Sequence, residues 1–344
     1  MAIKTNFTAG LLSVTGGNGQ DTIDITANRD AATGQIQQIL INGEAISNTN
    51  EIDVFGGNGS DTISLDNVAP PTGQALPPAH LFGGNGNDTL IGGGGNDTLD
   101  GGAGDDKVIG GKGTDTASLG AGNDTFIWNP GDGNDMVDGG SGFDTLDFKG
   151  ANISETVVIS ANGSGATFAR AKGTIDLTDV ERIQFEAQGQ HVENITINDL
   201  TGTDVKQVAI DLGAGPAGGG DGQPDTVSIK ATHGQAITVA DNNGVVTVSG
   251  LTNTLTISNF EANVDQLLIN DKIVPVTEGQ TVTVDAVSSD NTSGTSTASD
   301  GSHAAALLGQ HMASSFAPAG DGHGATPIAD QPAAQQPLLA QPHA

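Results

Sequence analysis

From residue 81 the chain places apolar residues on a fixed step. Leu90, Leu99, Val108, Ala117, Phe126, Val137 and Leu146 each stand two positions after an aspartate, at Asp88, Asp97, Asp106, Asp115, Asp124, Asp135 and Asp144. The aspartates recur every nine residues up to Asp124, then after eleven at Asp135 and nine at Asp144. Polar, glycine-rich stretches separate them, most of the form Gly-Gly-x-Gly-x-Asp. The unit is a turn plus a short strand with one apolar side. So short a strand cannot bury that side alone, and a fixed short period predicts a stacked architecture in which each unit completes its neighbour. A glycine-rich linker has no reason to keep such a count.

Past the array the pattern becomes that of longer strands. Residues 143–148, 155–160, 166–170, 173–177 and 181–185 read as short strands divided by turn residues such as Asn162-Gly163. Residues 235–240 and 244–249 flank Asp241-Asn242-Asn243, a hairpin signal. Strands recur without helical interludes through Val284, so the fold class is all-β, with the later region extending the stack. From Ser288 the composition turns to Ser, Thr, Ala, Gly, Gln and Pro, as in a disordered tail, with one short helix expected at 304–312. Four regions follow: an N-terminal β segment (1–80), the repeat array (81–148), a C-terminal β region (149–287) and the tail (288–344).

Composition narrows the function. With 41 acidic against 11 basic residues the net charge is −30, which disfavours nucleic acid or an anionic membrane as a partner and favours cations. Cysteine is absent, which removes disulfides and thiolate chemistry. No stretch reaches the length of a transmembrane segment, and MAIKTNFTAGLLSV at the start lacks the apolar run of a conventional signal peptide. No Gly-x-Ser-x-Gly elbow, His-Glu-x-x-His or Walker sequence occurs, and the seven histidines are scattered. The expectation is a protein that is not an enzyme.

Stacking this period aligns the aspartates in columns of like charge, and between residues 83 and 148 only Lys107 and Lys112 could offset them. A hard divalent cation would convert that repulsion into cohesion. Calcium takes six to eight oxygen ligands in flexible geometry and accepts the backbone carbonyls that glycine turns expose. Zinc or copper would want sulfur or imidazole, and magnesium would keep more of its own water. The expected cofactor is Ca2+. An EF-hand is disfavoured, because the run from Asp132 puts Val137 where that loop requires glycine.

Residues 83–91, 92–100, 101–109 and 110–118 match the nonapeptide G-G-x-G-x-D-x-U-x, and here the chain resembles the RTX, or haemolysin-type, calcium-binding proteins. The resemblance implies a parallel β-roll with two nonapeptides per turn and calcium between repeats n and n+2. Carried over, it pairs Asp88 with Asp106, Asp97 with Asp115, Asp106 with Asp124, Asp115 with Asp135 and Asp124 with Asp144. The implied metal-site residues are Gly83, Gly84, Gly86 and Asp88; Gly92, Gly93, Gly95 and Asp97; Gly101, Gly102, Gly104 and Asp106; Gly110, Gly111, Gly113 and Asp115. The later loops add Gly120, Gly122 and Asp124; Gly131, Gly133 and Asp135; Gly139, Gly140, Gly142 and Asp144. Leu119 and Pro130 replace the first glycine of their loops, and the extra residues Trp128 and Asn129 predict a bulge or a change of face.

Two further copies, residues 16–21 and 56–61, stand upstream. Asp61 and Asp88 are three nonapeptide lengths apart, but Pro70, Pro71, Pro77 and Pro78 argue against a continuous ladder between them. Asp21 and Asp61 then belong either to weak calcium loops or to plain turns.

Members of this family leave Gram-negative cells through type I secretion machinery that reads an uncleaved C-terminal signal. The resemblance, to secreted proteins of the kind found in α-proteobacteria, therefore implies an extracellular, calcium-dependent protein with a structural, matrix or surface-association role. The alternatives are a calcium-dependent adhesin or glycan-binding module recognising an extracellular polysaccharide or surface partner through residues 151–287, and a secreted hydrolase with an unrecognised active site.

Overall fold

The computed structural model describes residues 4–8, 11–16, 21–29, 36–41, 44–46, 51–65, 77–213, 219–232 and 235–285. The tail and its short helix lie outside the described residues, as do Pro70 and Pro71.

All the described elements are β-strands, and they form two fourteen-stranded sheets. Within the array successive strands alternate between the sheets. Ala79–Asn85, Thr98–Ala103, Thr116–Gly122 and Asp135–Gly142 pair in parallel in the first sheet. Thr89–Gly94, Lys107–Lys112, Thr125–Trp128 and Thr145–Lys149 pair in parallel in the second. This is a β-roll, and its register places Leu99 beside Ala117 and Val108 beside Leu90. Every apolar residue that follows an array aspartate by two positions is at most 3% exposed. The nine-residue period is thus a packing period: two units close one turn, and each unit's apolar side chain meets the sheet opposite.

The ladder also runs below the array without a break. Glu51–Asn58 pairs in parallel with Ala79–Asn85, matching Gly57 to Gly84, and Thr62–Ser64 pairs with Thr89–Gly94. Thr22–Arg29 pairs with Thr62–Ser64, so the loops ending at Asp21 and Asp61 are not isolated. The prolines do not prevent this. Pro77 and Pro78 precede their strand, where a missing N–H costs no ladder bond, and the Pro78 carbonyl accepts a hydrogen bond from Ile52 N–H at 3.2 Å.

Nor does the chain change face at Trp128. Phe126 and Trp128 are both buried, so the strand keeps its two-residue alternation. The additional residues are absorbed in a turn, in which Asn129 N–H donates to Asp132 Oδ2 at 2.7 Å and Asp132 N–H to the Asn129 carbonyl at 3.0 Å. Trp128 stands where Gly110 stands one turn earlier, two residues past the core position. From here aromatic rings fill the interior: Trp128 lies 5.2 Å from Phe148 and 5.9 Å from Phe168, and Phe148 lies 5.7 Å from Phe185. The array's glycine-lined interior gives way to an aromatic core.

Above the array the second sheet continues in parallel through Arg182–Glu186, Gln207–Asp211 and Thr254–Ser258. The first sheet takes in an antiparallel meander of Gly173–Thr178, Gly165–Arg170 and Glu155–Asn162, then resumes parallel pairing through Glu193–Ile197, Thr226–Ile229 and Gln266–Ile269. The expected hairpin is present as Ala236–Asn242 against Val245–Ser249.

Candidate calcium sites of the nonapeptide array

The array aspartates stand immediately before their strands, or at the first residue in the case of Asp135, and form two columns. In the column of the second sheet, the backbone N–H of Asp21 donates to Asp61 Oδ1 at 2.7 Å and that of Asp61 to Asp88 Oδ1 at 2.6 Å. The same bond joins Asp88 to Asp106 at 2.7 Å, Asp106 to Asp124 at 2.6 Å and Asp124 to Asp144 at 2.8 Å. In the column of the first sheet it joins Ala79 to Asp97 at 2.9 Å, Asp97 to Asp115 at 2.8 Å and Asp115 to Asp135 at 2.9 Å. The structure thus brings together all five pairs that the resemblance implies. It adds two from the upstream copies and extends the column to Glu181, whose Oε2 accepts the N–H of Asp144 at 2.8 Å.

One carboxylate oxygen of each residue is occupied in this way; the other is not. Oδ2 of Asp61, Asp88, Asp97, Asp106, Asp115, Asp124, Asp135 and Asp144 is buried without a hydrogen-bond partner. Those of Asp61, Asp88, Asp97, Asp106 and Asp144 face the first glycine of their own loop and a backbone carbonyl of another turn. A methyl group on Gly83 would stand 2.5 Å from both Asp88 Oδ2 and the Gly101 carbonyl oxygen. One on Gly92 would stand 2.7 Å from Asp97 Oδ2 and 2.6 Å from the Gly110 carbonyl oxygen. Each such loop therefore aims a carboxylate and a carbonyl oxygen at one small space, and no cationic side chain pairs with these aspartates among the described residues. That donor set fits calcium, which would be held by the Oδ2 atoms and glycine-turn carbonyls and would neutralise the columns.

The remaining glycines serve the turn. At Gly84 and Gly86 φ is +109° and +123°, where a side chain would be strained, and a Cβ there would strike the carbonyls of Gly57 and Gly59 at 2.2 and 2.0 Å. The first position is different: Gly83 and Gly101 are not in this region, so Leu119 is accepted there with its side chain buried. Its carbonyl faces Gly101 at 2.3 Å from the Cβ position, as a glycine carbonyl does elsewhere. Gly133 packs on the Gly113 carbonyl, but Gly131 has nothing near its Cβ position and belongs to the inserted turn.

Without a cation this arrangement is electrostatically costly. Burial pushes Asp97, Asp106 and Asp135 up to about 7, and Asp115 and Asp144 up to about 6. The backbone hydrogen bond opposes the rise in each, and neighbouring carboxylates add to it. Burial raises Asp61, Asp88 and Asp124 as well.

Among known proteins, the RTX calcium-binding nonapeptide repeat matches in four copies, over residues 82–117, 91–126 and 131–146. No curated protein matches the chain in sequence. Among solved structures, the crystal structure of the extracellular lipase LipA from Serratia marcescens is similar over 64% of this chain and 44% of that one, with 11% identity and a TM-score of 0.23. The chain thus spans less than half the length of that lipase. The stacked loops thus carry RTX calcium-binding nonapeptide repeats, and repeats of this kind bind Ca2+.

Proposed function

We propose that the protein is secreted, that it folds on meeting calcium outside the cell, and that the folded roll acts as an extracellular structural, matrix or surface-associated element. The observation that carries this is the pair of aspartate columns whose second carboxylate oxygens are buried and unpartnered. A charge of −30 keeps the calcium-free chain expanded by self-repulsion. Extracellular modules bind calcium with dissociation constants on the order of 10⁻⁴–10⁻³ M, far above what cytosolic calcium can fill, so folding follows export. We assign export to type I secretion directed by the tail. Deleting residues 301–344 is expected to retain the chain in the cytoplasm of a secreting strain while leaving its calcium-induced circular dichroism change intact; normal export of the truncated chain would reject that part.

The site residues are tested by charge removal. Asp115 takes part in two stacked contacts, with Asp97 and Asp135, and Asp61 also takes part in two, with Asp21 and Asp88. Asp115→Asn and Asp61→Asn keep an oxygen for the N–H bond but lose charge, and each should raise the calcium midpoint of folding several-fold. Asp21→Asn stands at the end of its column and should shift the midpoint less. Because binding is coupled to folding, the midpoint moves rather than a single ion being subtracted. Equal midpoints for all three variants and the parent chain would show that these aspartates are not the ligands.

A further inference from the structure

Beyond the array the first sheet keeps an acidic residue at the start of each resumed parallel strand: Glu155, Glu193, Asp225 and Asp265. The bonding of the aspartate columns recurs here, with Glu193 N–H donating to Asp225 Oδ1 at 2.8 Å and Asp225 N–H to Asp265 Oδ1 at 3.1 Å. The turns differ in how they meet the buried charge. Glu155 forms a buried ion pair with Arg170. Asp265 uses both oxygens, since its Oδ2 accepts the N–H of Glu261 at 2.7 Å. Glu193 and Asp225, 2% and 1% exposed, have neither solution: no N–H or cationic side chain among the described residues reaches the buried Glu193 Oε2 and Asp225 Oδ2, and the two carboxyl groups are left facing each other, within hydrogen-bonding reach only if one is protonated.

A third carboxylate joins these two. Asp221, 5% exposed, is positioned by two backbone donors, Gln223 N–H to Oδ1 at 2.8 Å and His191 N–H to Oδ2 at 3.1 Å. One carboxylate oxygen each from Glu193, Asp221 and Asp225 lies within 4.8 Å of the other two. That spacing suits oxygens arranged around one calcium ion, whose ligands at 2.3–2.6 Å stand at most about 5 Å apart. Three buried acids converge with no cationic side chain paired to any of them among the described residues. The neighbouring imidazole is not in the set: the group of ligand atoms within 4.8 Å of one another holds only the three carboxylates, and His191 Nε2 is engaged with Asn152 Oδ1 at 2.9 Å. An all-oxygen set of this charge selects a hard divalent cation over zinc or copper.

We propose that Glu193, Asp221 and Asp225 form a calcium site outside the nonapeptide array, joining two adjacent rungs of the C-terminal β region and fixing the segment that carries Asp221. The site replaces the glycine loop with a single extra aspartate, which is why it is silent to the nonapeptide pattern.

The test counts calcium on the full-length protein, by native mass spectrometry and equilibrium dialysis at millimolar calcium. Asp221→Asn and Glu193→Gln are compared with the parent chain, and Asp115→Asn serves as a reference for the array. Both new variants are expected to lose one bound ion, or to weaken one class of site at least tenfold, while the Trp128 emission midpoint stays at the parent value. If Asp221→Asn fails to fold, Glu193→Gln decides, since it retains the N–H bond to Asp225. A folded Glu193→Gln protein with the parent's calcium count and affinity would overturn the proposal and assign the cluster to a proton shared between Glu193 and Asp225. Loss of ions in Asp115→Asn alone would likewise overturn it while leaving the array sites intact.

Discussion

Withdrawing calcium from the full chain is expected to abolish the β-sheet signal of the array and to shift Trp128 emission to the red. A site filled at ten times its dissociation constant contributes about 1.4 kcal/mol, so seven stacked aspartate contacts could supply roughly 10 kcal/mol. That is comparable to the whole stability of a typical domain, about 5–15 kcal/mol, so removing it should leave the array unfolded rather than loosened. Trp128 reports the loss because it is 1% exposed, lies between Phe148 and Phe168, and sits in a strand paired on one side to the last regular repeat of its sheet. Far-ultraviolet circular dichroism and Trp128 fluorescence, recorded in EDTA and in millimolar calcium, make the measurement. Superimposable spectra would mean that the columns tolerate their own charge and that calcium does not drive the fold.

The aspartate period made the roll legible because one residue type marks every turn and an apolar residue follows each at the same distance. The acid-x-apolar pattern carries the register, and the glycines only make the turn tight. That distinction explains what sequence reading missed. Glu181-Arg182-Ile183, Glu193-Asn194-Ile195, Asp225-Thr226-Val227 and Asp265-Gln266-Leu267 repeat the pattern without the Gly-Gly-x-Gly turn, and their acids stand at the same places in the sheets. A reading anchored on glycine sees strands there but no column. The proline-rich interval misled for a related reason: Asp61 and Asp88 are one turn apart despite the longer connection, since extra residues between strands do not alter the pairing of the strands. Trp128 was misread as the site of a face change because the insertion was assigned to the strand; the two-residue alternation of Phe126 and Trp128 places it in the turn that follows. Asp221 has no repeat to mark it, and only the fold carries it to Glu193 and Asp225.

Acidification should partly replace calcium. In the cation-free fold, burial holds Asp97, Asp106 and Asp135 at about 7 and Asp115 and Asp144 at about 6, against an ordinary value of 3.8 in the unfolded chain. Between those limits the folded state binds more protons than the unfolded state, so the slope of stability against pH is negative. The calcium-free fold is therefore favoured most near pH 4, loses stability as pH rises from about 4 to about 7, and carries the full penalty of buried charge above that. Calcium needs the same carboxylates deprotonated, so its binding to an acid-folded chain should release protons, whereas calcium that folds an unfolded chain, whose aspartates are already ionised at pH 6, should release almost none. In samples whose circular dichroism shows the calcium-free array already folded, calorimetric titration with calcium at pH 6 in two buffers of different ionisation enthalpy is expected to report release of more than one proton per protein, falling towards zero at pH 8.5. Asp106→Asn should reduce the release at pH 6. No proton release at pH 6 from a chain whose circular dichroism is already folded without calcium would show that calcium is not held by these buried carboxylates.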